Sequence, residues 1–111
     1  MSKKHINSRQ KGAAGERELA NYLKSRGFDA RRGQQFKGGG DSPDVVGLPG
    51  FHIECKRTER GNPYEWLSQA QRDAGFDAFP LVVHRRNGKD WIAIMDFADF
   101  ITALKKVFDH D

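Results

Sequence analysis

Apolar residues recur along this chain at two spacings, one typical of helices and one typical of strands. Spacings of three and four residues predict helices over residues 12–26, 64–74 and 97–108. Alternating or continuous apolar runs predict strands over residues 28–32, 44–48, 51–57, 79–85 and 91–95. The resulting order, α-β-β-β-α-β-β-α, predicts an α/β fold with a central mixed five-stranded sheet flanked by helices.

Turn residues separate these elements. Gly27 is placed to end the first helix, and the glycine-rich segment 34–42 is predicted to be a loop. Pro49-Gly50 separates the second and third strands, and Asn62-Pro63 opens the second helix. Asn87-Gly88 is a strong signal for a hairpin between the last two strands.

The first 11 residues are polar and basic and show no periodicity, which predicts a flexible arm over residues 1–11. Two interpretations stay open for this arm: it contacts DNA, or it has no function. Residues 12–111 are predicted to form one domain, because 111 residues leave little room for a second core.

Charge and cysteine content narrow the class of protein only slightly. A net charge of +4 suits a polyanionic partner, although many small basic proteins bind nothing in particular. A single cysteine excludes an internal disulfide and a zinc cluster. No apolar run approaches the length of a membrane span, so we expect a soluble protein inside the cell.

Two carboxylates and a lysine fall on neighbouring apolar strands. Glu54 and Lys56 share one face of their strand, roughly 7 Å apart at ~3.3 Å per residue. A hairpin across the turn would bring Asp44 beside them. Taken alone, Asp44 is typical of a turn residue. Glu54 and Lys56 taken without Asp44 are typical of an exposed ion pair. Together they predict a divalent cation held by the carboxylates, with the lysine at the attacking water.

Glu16 lies on the apolar side of the first helix, because Leu19, Ala20 and Leu23 follow it at helical spacing, whereas Arg17 and Glu18 are expected on the solvent side. A carboxylate turned toward a core needs a partner. The partner is either a structural salt bridge or the predicted metal site.

Three more residues lie near this predicted site. The side chain of Cys55 is expected in the core, which leaves its backbone carbonyl as a possible third metal ligand. Gln69, on the second helix, points either to the site or to solvent. His52 shares the face of Glu54, where it either touches substrate or is incidental.

Basic residues surround the acids in sequence and are predicted to form a rim that binds DNA phosphates. Solvated loop charge is the alternative for any single member. The residues of this rim are Arg31, Arg32, Lys37, Arg57, Arg60, Arg85, Arg86 and Lys89.

The order Glu16, Pro43-Asp44 and Glu54-x-Lys56 resembles the PD-(D/E)xK nuclease superfamily. The chain is most similar to the archaeal-type Holliday junction resolvases and their phage-encoded relatives. Three stretches carry this resemblance and together cover most of the chain: KGAAGERELANYLKSRGF (11–28), PDVVGLPGFHIECKRT (43–58) and FPLVVHRRNGKDWIAI (79–94).

The resemblance implies a restriction-endonuclease-like fold, a magnesium or manganese cofactor and a homodimer that cuts two strands of a four-way junction. It also implies that Glu16, Asp44 and Glu54 serve the metal and that Lys56 serves the hydrolytic water. The resolvases carry a catalytic serine in the loop after the first strand, where this chain reads Arg32-Gly33-Gln34-Gln35. Ser42, immediately before Pro43-Asp44, is the only serine in this loop.

The leading hypothesis is therefore a metal-dependent endonuclease acting on branched DNA. A nicking or restriction-type nuclease would use the same site on other DNA. A DNA-binding module without turnover is a third interpretation, but it has no need for three carboxylates and a lysine to converge.

Overall fold

The protein was examined as a computed structural model, which describes residues 8–34 and 42–108. Within these ranges no helix is both long enough and apolar enough to cross a membrane. The predicted element order is confirmed. The elements are α1 (Ser8–Ser25), β1 (Arg31–Arg32), β2 (Val45–Val46), β3 (Phe51–Arg57), α2 (Pro63–Ala74), β4 (Phe79–Arg85), β5 (Ile92–Ile94) and α3 (Phe97–Phe108).

The five strands form one mixed sheet in the order β1-β2-β3-β4-β5. β1, β2 and β3 pair antiparallel, β3 and β4 pair parallel through the α2 crossover, and β5 returns antiparallel along β4. This mixed α/β architecture agrees with the restriction-endonuclease-like fold that the resemblance implies.

The bounds of β3, β4 and α3 agree with the prediction, whereas α1 begins at Ser8 instead of Gly12. Residues 8–11 thus belong to the helix and not to the expected arm. The rest of that arm, residues 1–7, lies outside the described residues.

β1 is shorter than predicted because residues 28–30 complete the end of α1. Gly27 adopts a φ of 97°, and the Phe28 amide donates to the carbonyl of Leu23 at 3.1 Å. This left-handed turn satisfies helix carbonyls that would otherwise lack donors. Only Arg31 and Arg32 are left to pair with β2.

β2 is also shorter than predicted, because Gly47 interrupts it. Gly47 has a φ of 120°, and a Cβ atom there would lie 2.5 Å from the carbonyl oxygen of Asp29 and from the Cα of Ala30. Only glycine permits this close approach of two backbones. β2 consequently pairs with β3 at one residue pair, Val45 and Ile53.

The core lies between α1 and one face of the sheet, while α2 covers the other face. Fully buried residues of the α1 side include Leu19, Val45 and Ile53. On the α2 side, Ala70 and Val82 are fully buried. β3 therefore has Ile53, Cys55 and Arg57 toward α1, and His52, Glu54 and Lys56 toward α2.

The helix α1 sits so close to β3 that it needs a glycine at the contact. A Cβ atom at Gly15 would lie 2.6 Å from the Cβ of Arg57, whereas one at Gly12 would have its nearest neighbour, a carboxylate oxygen of Glu16, at 3.9 Å. We expect Gly15→Ala to lower the free energy of unfolding by about 1–3 kcal/mol through overpacking.

Gly12→Ala is the matched control, and we expect it to raise the free energy of unfolding by up to about 1 kcal/mol, since alanine is the better helix former. Urea unfolding of both variants compares the two effects. Equal stability of the two variants would contradict the close packing of α1 on β3.

Candidate active site

Asp44 immediately precedes β2 and lies beside β3. Its backbone amide donates to the carbonyl of Ile53 at 2.8 Å, and its Oδ2 accepts from the amide of Cys55 at 2.8 Å. The carboxylate thus extends the pairing with β3 beyond the start of β2. Because the N–H and C=O of one strand residue point to the same side, the carbonyl of Cys55 also faces this edge.

Glu54 and Lys56 project from β3 on the α2 side. Glu54 is only 4% exposed, and Lys56 is half-buried. Lys56 Nζ donates to Gln69 Oε1 at 3.3 Å, so Gln69 points to the site and not to solvent. The Lys56 ammonium is consequently held in place by α2.

His52 lies under Glu54 and is 5% exposed, which does not suit direct contact with a substrate. Its Nε2 is 3.2 Å from Glu54 Oε2. His52 therefore contacts Glu54, and the two interpretations from sequence stay open.

Glu16 faces inward, as its spacing predicts, and its side chain is 12% exposed. Arg32 Nε donates to its Oε1 at 2.9 Å. The structural salt bridge is therefore present, with Arg32. Burial and, to a smaller extent, the charge on Asp44 raise the pKa of Glu16, and its role in a metal site stays a prediction.

In the absence of a bound cation, burial disfavours the ionised form of all three carboxyl groups, those of Glu16, Asp44 and Glu54. Desolvation raises the pKa of Glu54 to about 8, with further contributions from the negative charges of Asp44 and Asp73. Burial likewise raises the pKa of Asp44, against the amide of Cys55 and the charge of Lys56. The pKa of Glu16 is raised by burial and held back by Arg32.

Burial and, after it, the negative charge of Asp44 raise the pKa of Glu54, so the two carboxyl groups lie close together. Two carboxyl groups in such a position favour a proton on one of them, which a divalent cation can replace. The pair and the Cys55 carbonyl are hard oxygen donors that fit Mg²⁺, which keeps several of its waters. Across residues 8–34 and 42–108, no three His, Cys, Asp or Glu side chains are already grouped as a metal-binding set.

The thiol of Cys55 belongs to the core, as the sequence indicates. Cys55 lies on the α1 side, where its Sγ would be 3.8 Å from a Cβ at Gly15. Burial raises its pKa to about 12, so the thiol stays protonated and does not act as a nucleophile.

The predicted basic rim divides into exposed cations and cations held by carboxylates. Arg57 Nε donates to Glu18 Oε1 at 2.9 Å, and Arg85 binds the other oxygen of Glu18. The expectation that Glu18 faces solvent is therefore wrong, because it bridges β3 and β4. Arg32 is likewise engaged, with Glu16.

Four of the remaining rim residues form no ion pair with a carboxylate of the described residues. Arg31, Arg60, Arg86 and Lys89 are exposed. Lys37 lies outside the described residues.

Two of the loop positions considered for the resolvase serine, Gly33 and Ser42, differ in whether the backbone has room for a serine side chain. Gly33 is buried, its amide donates to the carbonyl of Asp44, and a Cβ there would lie 2.0 Å from the carbonyl oxygen of Pro43. A serine at position 33 would therefore not fit. Ser42 is half-buried two residues before Asp44.

Sequence reasoning missed Asp73, which lies on α2 four residues after Gln69. Its charge raises the pKa of Glu54, so it faces the same side of the sheet. The helical spacing from Gln69 was the available signal, because residues four apart share a helix face.

Comparison with known families agrees with this arrangement. The family model described as archaeal Holliday junction resolvase (Hjc) matches residues 7–95, which include every element from α1 to β5 and the site residues above. No curated protein matches the chain. The family match covers most of the 111 residues. The chain therefore belongs to the archaeal Holliday junction resolvase family, a family of PD-(D/E)xK-type nucleases.

Proposed function

We propose that this protein is a metal-dependent endonuclease that hydrolyses phosphodiester bonds in four-way DNA junctions. The observation that carries the proposal is the pair of neighbouring carboxyl groups, half-buried Asp44 and buried Glu54, beside the fixed ammonium of Lys56 in a chain of a resolvase family. Folding by itself does not favour this arrangement, because burying the carboxyl pair and the lysine costs free energy.

Asp44, Glu54 and the Cys55 carbonyl are proposed to hold Mg²⁺, with Mn²⁺ able to replace it. Glu16 would join this set when Arg32 releases it. When bound, the cation lowers the pKa of a water and neutralises charge on the phosphate. Lys56, oriented by Gln69, holds that water and stabilises negative charge on the phosphate oxygens.

The exposed cations around the site are proposed to contact the DNA backbone. Arg31, Arg60 and Arg86 are the strongest members of this group, because their side chains are not occupied by the Glu16 and Glu18 pairs. In this proposal the ion pairs of Arg32, Arg57 and Arg85 stabilise the fold, and these residues lie only at the border of the DNA-binding surface. Lys37 keeps its predicted role.

Two further features of the proposal follow from the substrate. A four-way junction is resolved by cuts in two strands, and one chain carries one site, so we propose a homodimer. DNA as substrate implies work inside a cell, and coding by a phage stays a prediction. Ser42 stays a candidate for the role of the resolvase serine.

Cleavage of a labelled four-way junction, beside matched linear duplex and single strand, tests the function. Each substrate is incubated with magnesium, manganese, calcium or chelator, and Glu54→Ala is the control. Symmetric, metal-dependent cuts on the junction alone are expected. Cuts in every substrate would replace the junction assignment with a general nuclease, and binding without cuts would favour a DNA-binding module.

Asp44→Asn should weaken Mg²⁺ binding at least ~10-fold, because the amide supplies less negative charge to the cation. Asp77→Asn, at an exposed position outside the site, should leave the affinity unchanged. Isothermal titration calorimetry of the DNA-free protein measures both. Equal isotherms for the wild type and Asp44→Asn would remove Asp44 from the ligand set.

A further inference from the structure

Helix α3 presents its apolar side away from the rest of the domain. None of its residues is buried. Six apolar side chains, at spacings of one helix face, are between 40% and 74% exposed. We call them the α3 apolar stripe: Phe97, Phe100, Ile101, Leu104, Val107 and Phe108.

The opposite side of α3 faces the domain, and it is largely polar. Asp99, Thr102 and Lys106 line a cleft of about 630 Å³ between α3 and the beginnings of β3 and β4. Lys106 Nζ lies 5.4 Å from the centre of the Phe79 ring. Val107 lies at the boundary of the two sides. A surface helix normally buries its apolar side, so this arrangement is the inverse of the usual one.

We propose that a second copy of this chain covers the α3 apolar stripe, with the two α3 helices antiparallel about a twofold axis. The proposal rests on the homodimer of the proposed function and assigns its contact surface. An isologous contact needs one self-complementary patch. A single stripe that runs the whole length of one helix is such a patch.

The charges at the ends of α3 select the antiparallel direction. Asp96 precedes the helix, and its Oδ1 accepts from the amides of Ala98 and Asp99, while Lys105 lies in the last turn. A parallel pair would bring like charges and like helix-dipole ends together. An antiparallel pair places the acidic end of each helix beside the basic end of the other.

The exposed area of the stripe is of the size that a dimer uses. Its six side chains offer roughly 500 Å² of apolar surface per protomer. This is more than half of the ~800 Å² per partner in a standard interface. The stripe can therefore form the centre of a stable contact, with its surroundings supplying the rest.

The α3 apolar stripe is not carried over from the family match. The match ends at residue 95, and α3 begins at Phe97. The resolvase core from α1 to β5 thus lies wholly inside the matched range, and the stripe lies wholly outside it.

Sedimentation velocity of the full chain, without DNA and over a wide concentration range, tests the surface. The wild type is expected to be a dimer. Leu104→Glu should raise the dissociation constant of the dimer at least 100-fold, since it introduces a charge at the middle of the stripe. Phe97→Glu, where the side chain is 72% exposed, should act in the same direction. Ala98→Glu adds the same charge to an exposed position off the stripe and should leave the dimer intact.

A wild type that stays monomeric at every concentration would overturn the inference. So would a dimer that survives both stripe substitutions while their circular dichroism and melting temperatures match the wild type. The junction assay gives an independent result. If Leu104→Glu breaks the dimer but the protein cuts no DNA, the proposed dimer surface is supported and the proposed function is contradicted. If the protein cuts junctions but its dimer is insensitive to both variants, the function is supported and the surface is contradicted.

Discussion

Glu54→Gln is expected to lower the rate of junction cleavage by at least ~10³-fold and, at the same time, to stabilise the metal-free fold at alkaline pH. The loss of cleavage follows because the amide cannot replace the negative charge that Glu54 is proposed to contribute to the cation. The glutamine side chain has nearly the same shape and keeps a hydrogen-bonding atom for His52. The activity loss therefore reports charge and not a disrupted site.

The gain in stability follows from the direction of the pKa shift. Glu54 has a pKa of about 8 in the fold, above its ordinary value of 4.5. Between these values the folded state holds a proton that the unfolded state releases, so the free energy of unfolding falls as pH rises. Glutamine removes this dependence. We expect Glu54→Gln to exceed the wild type by at least about 2 kcal/mol at pH 8 in chelator, and by little near pH 4.5.

Urea unfolding at several pH values between 4.5 and 8.5, in chelator, measures this difference. Glu65→Gln, at an exposed position on α2, is the matched control and should follow the wild type at every pH. Parallel pH profiles for the wild type and Glu54→Gln would contradict the raised pKa of Glu54. Retention of metal-dependent cleavage by Glu54→Gln would remove Glu54 from the catalytic set.

Lys56→Ala is expected to reduce cleavage by about 10²- to 10⁴-fold while leaving junction affinity within about threefold of the wild type. The half-buried ammonium is held by Gln69 beside the carboxyl pair, so we expect it to act on the reacting phosphate. It contributes one charge among many to the binding of the polyanion. Single-turnover cleavage and fluorescence anisotropy in calcium measure the two quantities.

Lys24→Ala, which removes an exposed lysine in the last turn of α1, is the control for a general charge effect. A drop in affinity greater than tenfold for Lys56→Ala would reassign Lys56 to substrate binding. The Lys56 charge also lowers the pKa of both Asp44 and Glu54. If higher magnesium concentration or higher pH restored the rate of Lys56→Ala, the lysine would act through the ligands and not through the water.

The parts of the fold that local sequence determines could be predicted well. The bounds of β3 and β4 follow from apolar runs closed by turn residues, and the Asn87-Gly88 hairpin follows from turn chemistry alone. The inward face of Glu16 follows from helical spacing. These features depend on residues close together in the chain.

The features that sequence reasoning missed depend on contacts between distant segments. Glu18 looks solvent-facing on the helical wheel, yet Arg57 and Arg85 reach it from β3 and β4. The shortening of β2 depends on the approach of the Asp29–Ala30 backbone to Gly47. The apolar stripe of α3 could be predicted from spacing, but its outward direction could not, because no local signal states which side of a helix meets the sheet.

The way Asp44 joins β3 ties the proposed cofactor to the fidelity of folding. β2 pairs with β3 at a single residue pair, so few hydrogen bonds hold its alignment. A slip of one residue would turn the carboxylate of Asp44 to the opposite face and break its bond to the Cys55 amide. A cation held by Asp44 and Glu54 would thus bind only molecules in which β2 is correctly aligned with β3. Its binding would shift the equilibrium from misaligned toward correctly aligned molecules by mass action.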